Sequence, residues 1–440
     1  MLDIRILRRD PEAVRKNIAR RNNPVHIERL DLLLKTDTDF RLAQHDLESK
    51  RSEHNNLTRQ IAARRKGGGD SSELERRAGE LSAQIQALER ELNTLEARRG
   101  ELLKLVPNLL DEKTPDGPDE SANPVVRTVG EKPVFDFPPK SQVDLIEALD
   151  FADTERAAKI SGARFYFMKR ELVLLDLSVL RLALDMLVGK GFVPLFPPEM
   201  MRRESYEGVT PMGDFEETMY KIEGDDLYLI ATSEHPLVAM HSGETLEASQ
   251  LPLKYAGLSV NFRREAGAHG RDTKGMFRVH NFNKVEQVVF CRPEDSPSLL
   301  AEILQNAEEI FQALEIPYRV VEICSGDISA KNSRQFDIEA WLPAQNTYRE
   351  VVSASNCTSY QSASLKIRYR LKQGGAEKEY VHTLNSTAVA TPRALLALIE
   401  NHQEKDGSIT LPKALQKYMD GRTELRPFQT RENKEATGSA

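Results

Sequence analysis

The stretch from Leu74 to Val106 constrains this chain more than any other. Leu74, Ala78, Leu81, Ile85, Leu88, Leu92, Leu95, Arg99, Leu102 and Val106 step alternately by four and three. That spacing is the a/d seam of a heptad with Arg99 as its one charged member, and a helix carrying it must lay the seam against a partner. An earlier stretch offers a looser stripe, in which Leu30, Leu33, Leu34, Phe40, Leu47, Leu57 and Ile61 share a helical face with Gln44 and Arg51. Between the two lies Gly67-Gly68-Gly69-Asp70-Ser71-Ser72. Glycine ends the first helix, and Ser71 or Ser72 is placed to cap the second. The pattern predicts an antiparallel two-helix coiled-coil arm over residues 1–106, with its tip near 64–72. About 34 residues at roughly 1.5 Å each make a rod of about 50 Å. A dimerising coiled coil has the same period, and the glycine hinge is what favours a hairpin.

The tip is basic. Arg59, Arg64, Arg65 and Lys66 precede the turn, with no acid from His54 through Gly69, and Arg76 and Arg77 follow it. Such residues often form only a solvated face. Here acids intersperse the shaft but leave the tip almost wholly basic, which suits a phosphate backbone. The net charge of −7 excludes a uniformly basic nucleic-acid binder and leaves room for such a local patch.

Beyond the arm the composition shifts. Pro107, Pro115, Pro118, Pro124, Pro133, Pro138 and Pro139 forbid a long helix, so 107–140 reads as a proline-rich linker. From 141 to 428 aromatics return, whereas the arm holds Phe40 alone among Phe, Tyr and Trp. Leu172–Val188 is a long apolar helix followed by an extended segment, Gly191–Pro198. The β-rich runs Asp226–Ile230, Lys284–Phe290, Tyr318–Ile323 and Phe336–Trp341 predict a mostly antiparallel sheet flanked by helices, an α+β layout. A length of 440 residues fits two or three domains. The polar end, 429–440, is expected to be disordered. Cys291, Cys324 and Cys357 form no Cys-x-x-Cys pair, which argues against disulfides and fits a cytoplasmic protein. Cys324 and Cys357 lie near site segments and read as packing residues. No apolar run is long enough for a membrane span, and Met1-Leu-Asp-Ile-Arg lacks a signal core. No His-x-x-x-His or His-Glu-x-x-His pair occurs, so zinc is not expected.

Chemistry gathers at Phe262-Arg263-Arg264-Glu265, followed by a charged loop and Arg278-Val279-His280-Asn281-Phe282. Read as strand, loop, strand, this places Arg263 and Glu265 on one face. An arginine forks onto phosphate or carboxylate, and Phe282 offers a ring to a planar base. Alone, the segment would more readily be read as a hairpin with a surface ion pair. Thr391-Pro392-Arg393 reads as N-cap, N1 and N2 of a helix running through Ile399. An arginine there is disfavoured by the helix dipole, whereas an anion is favoured.

Taken in order, Gly191-Phe192 with Pro198, the Phe-Arg-x-Glu segment closing on Arg278-x-x-x-Phe282, and Arg393 heading its helix resemble the three signature motifs of class II aminoacyl-tRNA synthetases. The arm, Pro107-Asn108 with Asp119-Glu120 and Asn123, Ser161–Tyr166, Thr232-Ser233-Glu234, Gly270–Gly275 and His382–Asn385 are similar to the seryl-tRNA synthetase family. The resemblance covers residues 1 to about 428 and implies a class II synthetase catalytic domain over 141–428, preceded by a tRNA-binding arm.

It further implies that ATP activates L-serine to seryl-adenylate, and that the seryl group passes to tRNA(Ser), with tRNA(Sec) as a second acceptor. Arg263, Glu265 and Arg393 would be the catalytic residues, with Arg263 on the α-phosphate and Arg393 on the γ-phosphate. The remaining implied ATP contacts are Arg264, the Val279 backbone, a stacking Phe282, and Glu350, Val351, Val352 and Ser353. Within that last run, Glu350 and Ser353 would hold Mg2+. Serine would be recognised by Thr232, Ser233, Glu234, Glu286 and Thr387. The family's glycine-rich third motif is replaced by Asn385-Ser386-Thr387-Ala388-Val389-Ala390. Arg59, Arg64, Arg65, Lys66, Arg76 and Arg77 would grip tRNA across a homodimer whose interface includes the helix before Pro198. A ligase acting on carrier proteins would lack the arm, and a non-catalytic paralogue would lose ATP contacts. A prolyl or threonyl relative would want a C-terminal anticodon domain, which about 30 polar residues cannot build.

Overall fold

The structure, a computed structural model, describes residues 1–212, 216–265 and 275–427. It comprises two compact units, Met1–Pro107 and Asn108–Ala440.

In the first unit, helices Pro24–Lys66 and Ser72–Leu105 fold on each other. Their cross-links run in reverse order, Asp37 with Arg99, Arg51 with Glu89 and Glu53 with Arg77, so the pair is antiparallel within one chain. Every seam residue of the second helix is buried or half-buried. Arg99 keeps its place in the seam through its partners: its guanidinium lies 3.9 Å over the Phe40 ring and 3.3 Å from Asp37. Asp37 also receives a fork from Arg8 at 2.9 and 2.8 Å. Burial alone would raise the Asp37 carboxyl, but the two arginines outweigh it and hold it below the usual carboxylate range.

Three details of the arm differ from expectation. Gln44 and Arg51 are exposed, and Ala43 takes the buried position beside them. Neither Ser71 nor Ser72 caps the second helix through its side chain; Asp70 accepts from the Ser72 N–H at 3.0 Å, while the Ser71 hydroxyl turns to Glu75. Two short helices, Ile4–Arg9 and Pro11–Ala19, precede the long pair and bury Leu7, Val14 and Ile18. At the hinge Gly68 takes φ +74°, which a side chain would strain. Around it, Arg65 pairs with Glu75, Arg76 with Glu73 and Glu80, and Arg77 with Glu53. No ion pair holds Arg59, Arg64 or Lys66 among the described residues.

The second unit is built on an eight-stranded sheet. Its order is Val125–Val129, Tyr318–Glu322, Arg334–Leu342, Thr347–Asn356, His382–Ala390, Asn281–Cys291, Leu253–Phe262 and Val193–Leu195. Every neighbour is antiparallel except the last pair. The stretch read as a linker thus supplies an edge strand, where prolines on either side do no harm to a ladder. Asn108, at its start, donates to the carbonyls of Lys331 at 2.9 Å and Cys357 at 2.8 Å. Helices Glu171–Gly189, Ser296–Ala313 and Thr391–Asn401 bury their apolar sides in the main core.

Strand Asn281–Cys291 is covered on both faces. Val285, Val289 and Cys291 join the main core, and Val288 and Phe290 join a second cluster on the other side. The same alternation sets Phe282, Lys284 and Glu286 in a row on that second face. All three cysteines are free and buried. Among the described residues, no helix is long and apolar enough to cross a membrane. The tail 429–440 and the segment 270–274 lie outside the described residues.

Candidate active site

The site begins where the strand Leu253–Phe262 stops. Arg263 and Glu265 lie beyond its end, and Glu265 turns to φ +48°, so the two-residue strand period does not govern them. Their positions are set by neighbours instead. The Arg263 N–H donates to the His280 carbonyl at 2.9 Å, and His280 Nδ1 donates back to the Arg263 carbonyl at 2.8 Å. The Ser161–Tyr166 run braces this turn from outside: Arg164 donates to the Glu265 carbonyl at 3.0 Å, its own carbonyl accepts from the His280 N–H, and the Phe165 ring centre is 4.9 Å from that of His280.

Of the residues expected to meet ATP, Arg263, Glu265, Val279, Phe282, Glu350, Val351 and Arg393 line one cleft. Arg264, Val352 and Ser353 do not. Arg264 lines a neighbouring hollow with Tyr220 and Lys221, Val352 is part of the main core, and Ser353 sits opposite Asp337 on the adjoining strand. Two bulges shape the cleft. Val351 is the extra residue where the register against Ile338 and Glu339 slips, and Ala388 is the extra residue between Thr387 and Val389. Bulges re-aim side chains beside sites, and both of these border the cleft.

The cleft is electrostatically unbalanced. Arg263 is half-buried, with its guanidinium set deep in the cleft; its Nε donates to the Ala231 carbonyl at 3.3 Å, and the guanidinium lies 5.1 Å from the Phe282 ring centre. Burial lowers its pKa most, and repulsion from Arg393 adds to that, against the pull of Glu265, Glu350 and Glu286. Arg393 donates to the Glu350 carbonyl at 2.9 Å and stands 3.5 Å from the Glu350 carboxylate. It occupies the third helical position, because Ala390, not Thr391, is the N-cap. The Thr391 hydroxyl instead donates to the Asn283 carbonyl at 3.3 Å. Asp176, buried in the helix Glu171–Gly189, accepts from the Asn283 side chain at 2.8 Å. The three motif-bearing segments therefore meet at Asn283.

Beyond Lys284 the cleft passes into a buried polar network. Lys284 pairs with Glu286 and donates to the Thr232 hydroxyl at 3.2 Å. Lys331 pairs with Glu234, which also accepts from Gln361 at 2.9 Å. Burial would raise the Glu234 carboxyl, but Lys331 outweighs it and holds it at about 2. Glu286 keeps a raised pKa, since burial exceeds the help from Lys284. Thr387 stands directly opposite Glu286 across the ladder and lines the cleft. Ser233 is fully buried, with its hydroxyl donating to the Gly257 carbonyl at 3.1 Å. Sequence reasoning did not single out Lys284, Lys331, Gln361, Phe277 or Asp337. For Lys284 a signal existed, its place two residues before Glu286 on one strand; the partners of Lys331 and Gln361 are remote in sequence.

Among the described residues, no group of three or more His, Cys, Asp or Glu side chains is poised to hold a metal ion.

Residues 218–402 match the class II core domain of tRNA synthetases (G, H, P, S and T), and residues 1–110 match the seryl-tRNA synthetase N-terminal domain. The chain is 49% identical over 421 residues to the serine–tRNA ligase of Methanocella arvoryzae, covering 96% of this chain and 99% of that one. It is 46% identical over 452 residues to that of Thermococcus onnurineus, covering 98% of each. Among solved structures, the seryl-tRNA synthetase of Pyrococcus horikoshii complexed with ATP superposes with a TM-score of 0.94 at 45% identity, over 98% of this chain and 100% of that one. The cytoplasmic serine–tRNA ligase of Naegleria fowleri in complex with AMP superposes with a TM-score of 0.85 at 34% identity, over 96% of both.

Proposed function

The chain belongs to the seryl-tRNA synthetase family, and from that premise we propose how its own residues perform the work of a serine–tRNA ligase. L-Serine is activated by ATP to seryl-adenylate with release of pyrophosphate, and the seryl group then passes to tRNA. One observation carries the assignment of roles: two arginines, Arg263 and Arg393, face one cleft and repel each other there. A polyphosphate relieves that repulsion and offsets the burial of Arg263 at once.

In the first step an oxygen of the serine carboxylate attacks the α-phosphorus, and the bond to pyrophosphate breaks. Arg263 holds the α-phosphate and takes up the charge that builds at phosphorus, while Arg393 holds the far end of the triphosphate. Phe282 carries the adenine, Val279 meets its edge through the backbone, and Glu265 borders it. Glu286 and Glu234 receive the serine ammonium in the buried network with Thr232. Thr387 and Glu286 bond the serine hydroxyl, so alanine leaves them unpaired and is rejected. In the second step a ribose hydroxyl of the terminal adenosine attacks the seryl carbonyl, and AMP leaves. Neither step needs a covalent enzyme intermediate, so catalysis rests on positioning and charge.

Mg2+ is the proposed companion of ATP. Glu350, with Ser353 and the facing Asp337, offers the oxygen donors a hard cation prefers. The Asp337 carboxyl is pushed up to about 8 by burial and by Glu350, as fits carboxylates awaiting a counter-charge. When bound, the ion neutralises phosphate charge.

The arm cations Arg59, Arg64, Arg65, Lys66, Arg76 and Arg77 are assigned to the tRNA backbone, with tRNA(Ser) as substrate and tRNA(Sec) as a second acceptor. A homodimer is supported by the helix Glu171–Gly189, which leaves Val173, Leu174 and Leu177 exposed, as the segment that follows it leaves Val193 and an 81% exposed Phe196. Free cysteines suit a reducing cytoplasm. The test is charging of unfractionated tRNA by the full chain with ATP and labelled serine. Acid-precipitable seryl-tRNA is expected, and its absence with intact tRNA and Mg2+ present overturns the assignment.

A further inference from the structure

We propose that Lys284 is a positioning residue for the amino-acid substrate, which assembles the serine-ammonium site by holding Thr232 and Glu286 together and setting a positive charge against Glu286. The inference rests on the assignment of serine to this network.

An ammonium group has three protons to donate. That of Lys284 gives one to the Thr232 hydroxyl at 3.2 Å and faces the Glu286 carboxylate with another. The side chain also lines the cleft beside Arg263 and Thr387, so Lys284 stands where the two substrates meet. Its side chain is only 8% exposed and that of Glu286 only 2%. A buried ion pair of this kind is a poor device for stability, since a well-packed apolar pair serves as well or better. Its retention at a cleft wall is explained by what it does to its neighbours.

The charges around Glu286 identify that effect. Lys284 faces it from its own strand, Glu234 from the helix Glu234–Ala239, Lys331 from the segment before Arg334–Leu342, and Arg263 from beyond the end of Leu253–Phe262. Lys331 is already engaged by Glu234. Among the described residues, the one ion pair made by Glu286 is with Lys284. Without it, a carboxyl that is wholly buried and repelled by Glu234 would be harder still to ionise, and a neutral acid binds an ammonium poorly. Thr232, which also accepts the Glu234 N–H at 3.2 Å, would lose the second bond that fixes its hydroxyl.

The experiment compares wild type with Lys284→Met, which keeps length without charge, and Lys284→Arg, which keeps charge. Serine-dependent exchange of pyrophosphate into ATP is measured across pH, with separate KM values for serine and ATP. Thermal melts and ATP binding without serine are recorded on the same preparations. For Lys284→Met, kcat/KM for serine is expected to fall about a hundredfold or more, through the serine KM. The ATP KM should move by less than about threefold, and the acid limb of the serine profile should move to higher pH. Lys284→Arg should restore much of the serine affinity and return the limb toward wild type. A serine KM for Lys284→Met within about twofold of wild type overturns the proposal. So do equal losses toward ATP and serine with an unmoved limb, which would mark a merely structural lysine. If Lys284→Met does not fold, the comparison passes to Lys284→Gln and Lys284→Arg. A shared profile in those two variants then overturns the proposal, and a limb restored only by arginine upholds it. Absence of serine-dependent exchange in wild type would instead refute the serine assignment itself.

Discussion

Replacing Arg263 with alanine separates catalysis from stability more sharply than any other single change. Arg263 Nε is engaged by the Ala231 carbonyl, which leaves the terminal guanidinium N–H groups for the cleft. Two charge-assisted hydrogen bonds to a phosphate contribute about 1.5–3 kcal/mol each, or roughly 3–6 kcal/mol together. At about 1.4 kcal/mol per factor of ten, activation should slow by roughly 10²–10⁴-fold. The fold should hardly notice. The charge being removed is one that burial and Arg393 already disfavour, and sites of this kind trade stability for function. The loss of the Ala231 bond and of packing against Phe282 works the other way, so the melting temperature should stay within a few degrees of wild type. The assay is serine-dependent pyrophosphate exchange under saturating ATP, paired with a thermal melt. Exchange within about threefold of wild type, from a protein that melts normally, would refute the reasoning that places the α-phosphate on this residue.

Three further outcomes follow from the same structure. Alanine at Arg59, Arg64 and Lys66 together should cut tRNA charging and flatten its salt dependence, by up to about one unit of log–log slope for each cation–phosphate pairing removed, while serine activation stays at wild-type rate. The same change at Arg65, Arg76 and Arg77 should cost less, because acids already engage them; equal effects from both triples would contradict this. Asp37→Asn should destabilise the arm by about 1–3 kcal/mol at neutral pH, read from thermal or denaturant unfolding. Because its pKa is lowered in the fold, the aspartate's contribution is complete above its ordinary value of 3.8 and is lost as pH falls through the lower folded value. Wild type should therefore approach the variant only in strong acid, and a gap that closes already at pH 6 would be the wrong sign. Leu177→Arg should convert a dimer to monomer in sedimentation, and a monomeric wild type would remove the basis for that expectation.

What was readable in the sequence was what local spacing encodes. The seam of the second arm helix is a repeat, and repeats survive without knowledge of the partner. Its exception, Arg99, required Asp37 and Phe40 from the other helix to explain it. The short helices Ile4–Arg9 and Pro11–Ala19 went unread although Asp10 before Pro11 is a cap signal, because so few residues show no period. Val125–Val129 was hidden by its prolines: composition suggested a linker, while β-branched residues between them made an edge strand. Arg263 and Glu265 were found by motif but misplaced by the strand argument, since the strand ends at Phe262. Lys331 and Gln361 bond Glu234 from 97 and 127 residues away, and nothing local announces such pairings.

The most direct measurement is pyrophosphate exchange into ATP by the purified full-length chain, run with serine, with alanine and with no amino acid. Exchange is expected with serine and Mg2+, with alanine close to the blank, because the bonds that Thr387 and Glu286 would make to a substrate hydroxyl are then lost. Exchange driven equally by alanine, or none with serine, would contradict the assignment of this cleft to serine activation.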